Sequence, residues 1–142
     1  MENFKKKFLD KIVIEVVNLK NPTIKDAIEF KNILEEDMLS SDSHIIVDLR
    51  ECDRIDSAFM GVLVIAMKKM KSNSREIVLL EPTSENARGI FSVTDTYKVF
   101  KIYESLDEAL NYLQNIIDIE KSDQSDPSTE IDLAWGVGLS RE

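Results

Sequence analysis

Two short runs that are apolar on nearly every residue, His44–Leu49 and Ile77–Leu80, constrain this fold most. A strand with one wet face alternates apolar and polar residues. An unbroken apolar run is a strand covered on both faces, as in a parallel sheet with helices on it. Between the two runs, Ser57 to about Lys71 reads as a helix, with Ala58 to Met67 apolar nearly all round and Lys68-Lys69-Met70-Lys71 at its end. The lysines complement the negative helix C-terminus. The apolar turns either lie buried between sheet and neighbours or leave a face free for a partner.

The rest of the chain follows the same alternation. Residues 3–8 form a short strand and Leu9-Asp10 a turn. Lys11–Val17 is rich in β-branched residues and reads as a second strand. Asn21-Pro22 opens a helix, with Asn as cap and Pro as first helical residue. Ile24, Ala27, Ile28, Lys31, Leu34 and Met38 carry it at helical spacing to about Leu39, and Ser40-Ser41-Asp42-Ser43 breaks it. Pro82-Thr83-Ser84 starts a short helix through Phe91, and Val99–Tyr103 alternates like an edge strand. Ser105 and Glu108 form a capping box for a helix with Leu106, Ala109, Leu110, Leu113, Ile116 and Ile117 on one stripe. The expected fold is α/β, a mixed and largely parallel sheet with helices in a single domain over 1–117.

From Asp118 the character changes. The last 25 positions hold seven acidic and two basic residues, and Glu120–Glu130 reads as a disordered, acidic C-terminal tail over 118–142. The tail ends in Ile131-Asp132-Leu133-Ala134-Trp135-Gly136-Val137-Gly138-Leu139, which carries the only Trp. These residues are either a loose end leaning on the domain or a docking motif on a tether.

Composition narrows the function. A net charge of −9 argues against nucleic acid as partner, because phosphate backbones want Lys and Arg. No run of about eighteen apolar residues spans a membrane, and the basic N-terminus lacks the apolar core of a secretory signal. The 142 residues contain one cysteine, Cys52, and one histidine, His44. A single cysteine excludes an internal disulfide and suits a reducing cytoplasm. It is weak evidence for a nucleophile, and His44 reads as a strand-entry residue. One His and one Cys do not make a usual zinc site, no cofactor motif is present, and no Gly-rich phosphate loop or nucleophile–base pair points to an enzyme.

The residues that carry chemistry are Ile55-Asp56-Ser57-Ala58-Phe59-Met60-Gly61. An apolar strand ends, a polar turn follows, and Ser57 stands where a helix begins. The first-turn N–H groups of a helix are unpaired and its dipole makes that end positive, so a phosphate on Ser57 would meet a ready-made anion site. The alternative is that Ser57 only caps the helix. Asp56 either orients the serine hydroxyl or bonds local backbone as a turn residue.

These elements, taken in order, resemble the STAS domain family, and within it the small anti-sigma-factor antagonists. The resemblance covers about residues 3–117. It rests on the strand with Asp48-Leu49, the Ile55-Asp56-Ser57 turn, Gly61, and Phe91–Tyr103 followed by Ser105-Leu106-Asp107-Glu108-Ala109-Leu110. It implies a partner switch rather than an enzyme, with Ser57 as phosphoacceptor and Asp56, Ala58, Phe59, Met60 and Gly61 at the partner surface. The unphosphorylated form would bind an anti-sigma factor that is a serine kinase and so free a sigma factor. Phosphorylation would end binding, and a serine phosphatase would reset the switch. A cytoplasmic monomer is the expected state.

Two departures from the family pattern stand out. Phe59 replaces a glycine, which either narrows the choice of kinase or fills a pocket inside the fold. A Gly-x-Leu-Asp segment is replaced by Asn18-Leu19-Lys20-Asn21. A second reading keeps the fold and makes it a scaffold or a subunit of a signalling or lipid-transport assembly, with Ser57 unmodified. A phospho-aspartate receiver with Asp48 as acceptor needs an acidic pair after the first strand, and Val17-Asn18-Leu19-Lys20 supplies none.

Overall fold

The computed structural model describes residues 2–125. In chain order the elements are β1 (Phe4–Leu9), β2 (Ile12–Val17), α1 (Ile24–Ser40), β3 (His44–Asp48), α2 (Ser57–Ser72), β4 (Ile77–Leu80), α3 (Glu85–Val93), α4 (Thr96–Val99), β5 (Lys101–Tyr103) and α5 (Leu106–Ser125). The described strands form one sheet in the order β1-β2-β3-β4-β5. β1 runs antiparallel to β2, and the other three pairings are parallel. The α/β class and mixed sheet expected from the sequence are therefore present.

The chain divides into two compact units, Met1–Leu110 and Asn111–Glu142. The first holds the sheet, α1 to α4 and the start of α5. Its core joins Val17, Ile45, Val47, Leu49, Ile77 and Leu79 to Phe30 and Leu34 of α1 and to Phe59, Leu63 and Met70 of α2. Ile12, Ile14, Ile46, Val78 and Leu80, the alternate residues of the same strands, are buried too. Burial on both faces is what the unbroken apolar runs require. In the second unit the described residues continue α5, where Gln114 donates to Asp118 one turn on, at 3.0 Å.

Several boundaries differ from the sequence reading. The first hairpin closes with Leu9 opposite Ile12, and Asp10 takes the left-handed conformation that Asp tolerates. α1 starts two residues late. Thr23 is its cap, and the Asp26 carboxylate accepts the Thr23 N–H (2.8 Å) and hydroxyl (3.2 Å), while Pro22 stays outside the helix. Val99, expected to open the edge strand, instead ends the helical turn Thr96–Val99, and buried Phe100 links that turn to β5, which begins at Lys101. Ser105 accepts the Glu108 N–H at 3.2 Å, as its capping box predicts.

α5 passes Asp118 and reaches Ser125, so Glu120–Ser125 is helical where the composition predicts disorder. No Gly or Pro interrupts 106–125, and the first breaker, Pro127, comes later. The rest of the tail, including Trp135, lies outside the described residues.

Candidate functional site

The C-terminal ends of parallel strands are where loops of an α/β sheet gather. Here the segments after β2, β3 and β4 meet around the turn that leads into α2. Asp48, the last residue of β3, starts the turn. Its carboxylate accepts the Arg50 N–H (3.1 Å) and a paired contact from the Arg50 guanidinium at 3.0 and 2.9 Å. That hydrogen bond raises the Arg50 pKa. Asp48 is thus a nearly buried structural anion, committed to its own turn and not displayed as an acceptor.

The turn is then stitched to both neighbours. On one side Lys20 O accepts the Asp53 and Arg54 N–H groups (2.6 and 2.9 Å), and Pro22 O accepts the Asp56 N–H (3.3 Å). On the other side Thr83 donates its hydroxyl to Arg50 O (3.1 Å), and Ser84 donates to Asp53 Oδ1 (2.7 Å). Cys52 and Ile55 anchor the turn from below as buried residues. Burial, then the charges of Asp48 and Glu51, push the Cys52 thiol up to about 12, so it is no thiolate near neutral pH. His44 enters β3 buried, and its Nδ1 accepts the Glu76 N–H at 3.0 Å.

At the α2 N-terminus Asp56 takes the second of its two expected roles, bonding local backbone, and the reading of Ser57 as the cap is the one that fails. Asp56, not Ser57, is the cap, and its Oδ1 accepts the Ala58 N–H at 2.8 Å. Ser57 is the first helical residue. It is exposed, and its hydroxyl makes no hydrogen bond with any described residue. The expected anion site is therefore already taken by the Asp56 carboxylate, and a phosphate on Ser57 would stand beside it.

Phe59 and Met60, expected on the partner surface, are 0% and 2% exposed. Phe59 stacks on Phe30 with ring centroids 5.1 Å apart, and Phe30 stacks on Phe4 at 4.9 Å. The ring that departs from the family pattern fills the interior, and neither residue is displayed at the surface. Asp56, Ser57 and Gly61 are exposed and Ala58 is half-buried.

The accessible surface continues along two helices. Lys69 of α2 pairs with Glu35 of α1 at 3.4 Å, which ties the helices together. Lys31, Leu34 and Glu35 of α1 line one shallow groove with Val62, Ile65 and Ala66 of α2. Ile28 and Ile24 lie one and two turns from Lys31 towards the start of α1, the end at which α2 carries Ser57. Ile24, Ile28 and Ile65 are all more than half exposed. Helical periodicity picks out Ile24 and Ile28 in the sequence but assigns them to the core stripe. The Asp53–Ser84 bond and the Lys20 and Pro22 carbonyls escape sequence reasoning, since backbone acceptors leave no side-chain signature. Among the described residues no group of three or more His, Cys, Asp and Glu side chains is placed to hold a metal ion. No described helix is long and apolar enough to cross a membrane.

Comparison with known proteins gives these features a family. Residues 2–109 match the STAS domain. A Thermotoga neapolitana protein named as a homolog of a "putative anti-sigma factor antagonist" is 30% identical over 112 residues, which are 78% of this chain and 97% of that protein. The crystal structure of a "putative anti-sigma factor antagonist" from Thermotoga maritima is 27% identical with a TM-score of 0.69, covering 78% of this chain and 94% of that one. The antagonist SpoIIAA, 14% identical, shares the fold in its unphosphorylated form with a TM-score of 0.67 over 79% of this chain and 96% of its own. The phosphorylated form of SpoIIAA, from Bacillus, matches with a TM-score of 0.59 over 78% and 98%. The chain belongs to the STAS domain family.

Proposed function

We propose that this protein is an anti-sigma-factor antagonist that works by partner switching, with Ser57 as its phosphoacceptor. One observation carries the reading: Ser57 opens α2 with an exposed, unengaged hydroxyl while Asp56 does the capping. A capping serine would have to give up its bond to react, and this one does not. Two further facts support it. The matched Thermotoga protein bears an antagonist's name, and a protein of this fold exists in a phosphorylated form.

The partner is an anti-sigma factor that is itself a serine kinase. In the unphosphorylated state it docks on Asp56, Ala58, Gly61 and the exposed side chains of Ile24, Ile28 and Ile65, and its sigma factor is released. The Ser57 oxygen then attacks the γ-phosphorus of ATP held by the kinase, ADP leaves, and the hydroxyl proton passes to a base of the kinase. The product carries about −1.5 to −2 charges beside the Asp56 carboxylate. An interface that closes over apolar side chains would have to desolvate both, so the complex comes apart. A serine phosphatase hydrolyses the phosphoester and restores the binding form. On this reading the protein is a substrate and a binding module, cytoplasmic and monomeric, and neither nucleic acid nor membrane is its partner.

The exposed isoleucines also suit a second reading, a scaffold whose partner stays bound whatever the state of Ser57. Binding of Ser57→Ala and Ser57→Asp to the captured anti-sigma kinase separates the two. The switch expects tight binding by the alanine variant and binding at least about tenfold weaker by the aspartate variant. Equal binding supports the scaffold.

A further inference from the structure

Three charged side chains from three elements meet beneath the second half of α1. Lys6 of β1 and Glu15 of β2 stand directly opposite in the antiparallel register. Asp37 of α1 closes over them. Lys6 Nζ hydrogen-bonds Asp37 Oδ1 and lies 3.3 Å from Glu15 Oε2. Glu15 is 1% exposed and Asp37 3%. The group therefore holds two buried acids against one base.

Among the described residues no other charge restores the balance. β3 brings Val47 to the level of Glu15, not a titratable group. Arg75, packed against the C-terminal end of α1, is committed to the carbonyls of Met38, Ser41 and Ser43. Apart from the Lys6 ion pair, Glu15 Oε2 has no hydrogen-bond partner, and neither has Asp37 Oδ2. With both carboxyls ionised, the interior would hold a surplus negative charge and two unsatisfied oxygens, which is costly. One proton removes the surplus and turns one oxygen into a donor for the other acid.

We propose that Lys6, Glu15 and Asp37 form a proton-binding site that keeps one proton between the two carboxyls, and that its release on alkalinisation loosens α1 from the β1–β2 hairpin. Burial first, and then the neighbouring Asp37 carboxyl, pushes Glu15 up to about 8. The folded protein thus holds this proton more tightly than the unfolded chain. The stability it contributes is complete below the ordinary value of 4.5 and is lost as pH rises through about 8. Lys6, also raised, acts in the same direction at higher pH.

The segment leading into α1 carries Lys20 O and Pro22 O, which hold the turn before Ser57, and α1 carries the exposed Ile24 and Ile28 of the proposed docking surface. The state of the proton site therefore reaches the docking surface. That last link rests on the function proposed above, whereas the proton site itself does not.

The test follows the Glu15 side-chain carboxyl by carbon NMR in the full chain, with amide exchange of α1 measured at about pH 6 and about pH 9. The expected midpoint lies above about 7, and α1 protection falls at least about tenfold in the wild type but not in Glu15→Gln, which mimics the protonated acid. Asp37→Asn removes the surplus charge from the other side and should return the Glu15 midpoint towards the ordinary carboxylate range. A wild-type midpoint below about 6, or an equal loss of protection in Glu15→Gln, overturns the proposal. Neither readout involves Ser57 or a kinase, so failure of the switch reading leaves this result intact.

Discussion

The Asp56 carboxylate accepts the Ala58 N–H at 2.8 Å across the residue between them, and that residue is Ser57. Two tasks that a single serine often combines are thereby divided. Asp56 satisfies the open end of α2, and Ser57 is left with its hydroxyl in solvent. The division also brings the charges together. Any phosphate added at Ser57 arrives next to a carboxylate already placed on the positive end of the helix.

Replacing Asp56 by Ala should remove the cap and cost about 1 kcal/mol, while Asn should keep most of it. Urea unfolding of the three proteins checks this. Equal midpoints for Ala and wild type would mean that the Asp56–Ala58 bond contributes nothing to the fold.

Phe59→Ala should destabilise the domain by about 3–5 kcal/mol, because the ring is fully buried against Phe30. Phe59→Leu should cost less. Thermal melting reads both. A small loss for Ala would place the ring outside the core and return it to the partner surface.

Cys52 should be silent to thiol reagents in the native state. The thiol is buried, and its pKa of about 12 keeps it protonated. Its labelling rate with an aromatic disulfide should follow global unfolding as denaturant is added. Fast labelling in buffer would show that the turn after β3 opens on its own.

Ser84→Ala removes the 2.7 Å bond to Asp53 but no core contact. A loss of about 0.5–1.5 kcal/mol is expected, with faster amide exchange at Asp53 and Arg54 and unchanged exchange in β3 and β4. No local change would mean that the carbonyls of Lys20 and Pro22 hold the turn unaided.

Much of this is legible in the sequence because it rests on burial and periodicity. Ile45–Leu49 and Ile77–Leu80 read as short strands covered on both faces, and the Ser105–Glu108 box marks the start of α5. The site is half legible. Ser57 stands out by its place at the start of a helix, but a Ser following an Asp leaves open which of them is the cap, and only the backbone geometry assigns it to Asp56. Phe59 and Met60 cannot be sorted into inner and outer faces by periodicity, because α2 is apolar nearly all round. The Lys6–Glu15–Asp37 group is invisible for another reason. Its members are far apart in sequence, and each alone reads as an ordinary surface charge.

Intact-mass spectrometry of the protein, incubated with ATP in a lysate of its source cells and followed by peptide mapping, tests the central claim most directly. One added phosphate on Ser57, absent from the Ser57→Ala variant, is the expected result. An unmodified Ser57 in a lysate from which the partner is nonetheless captured would contradict the switch.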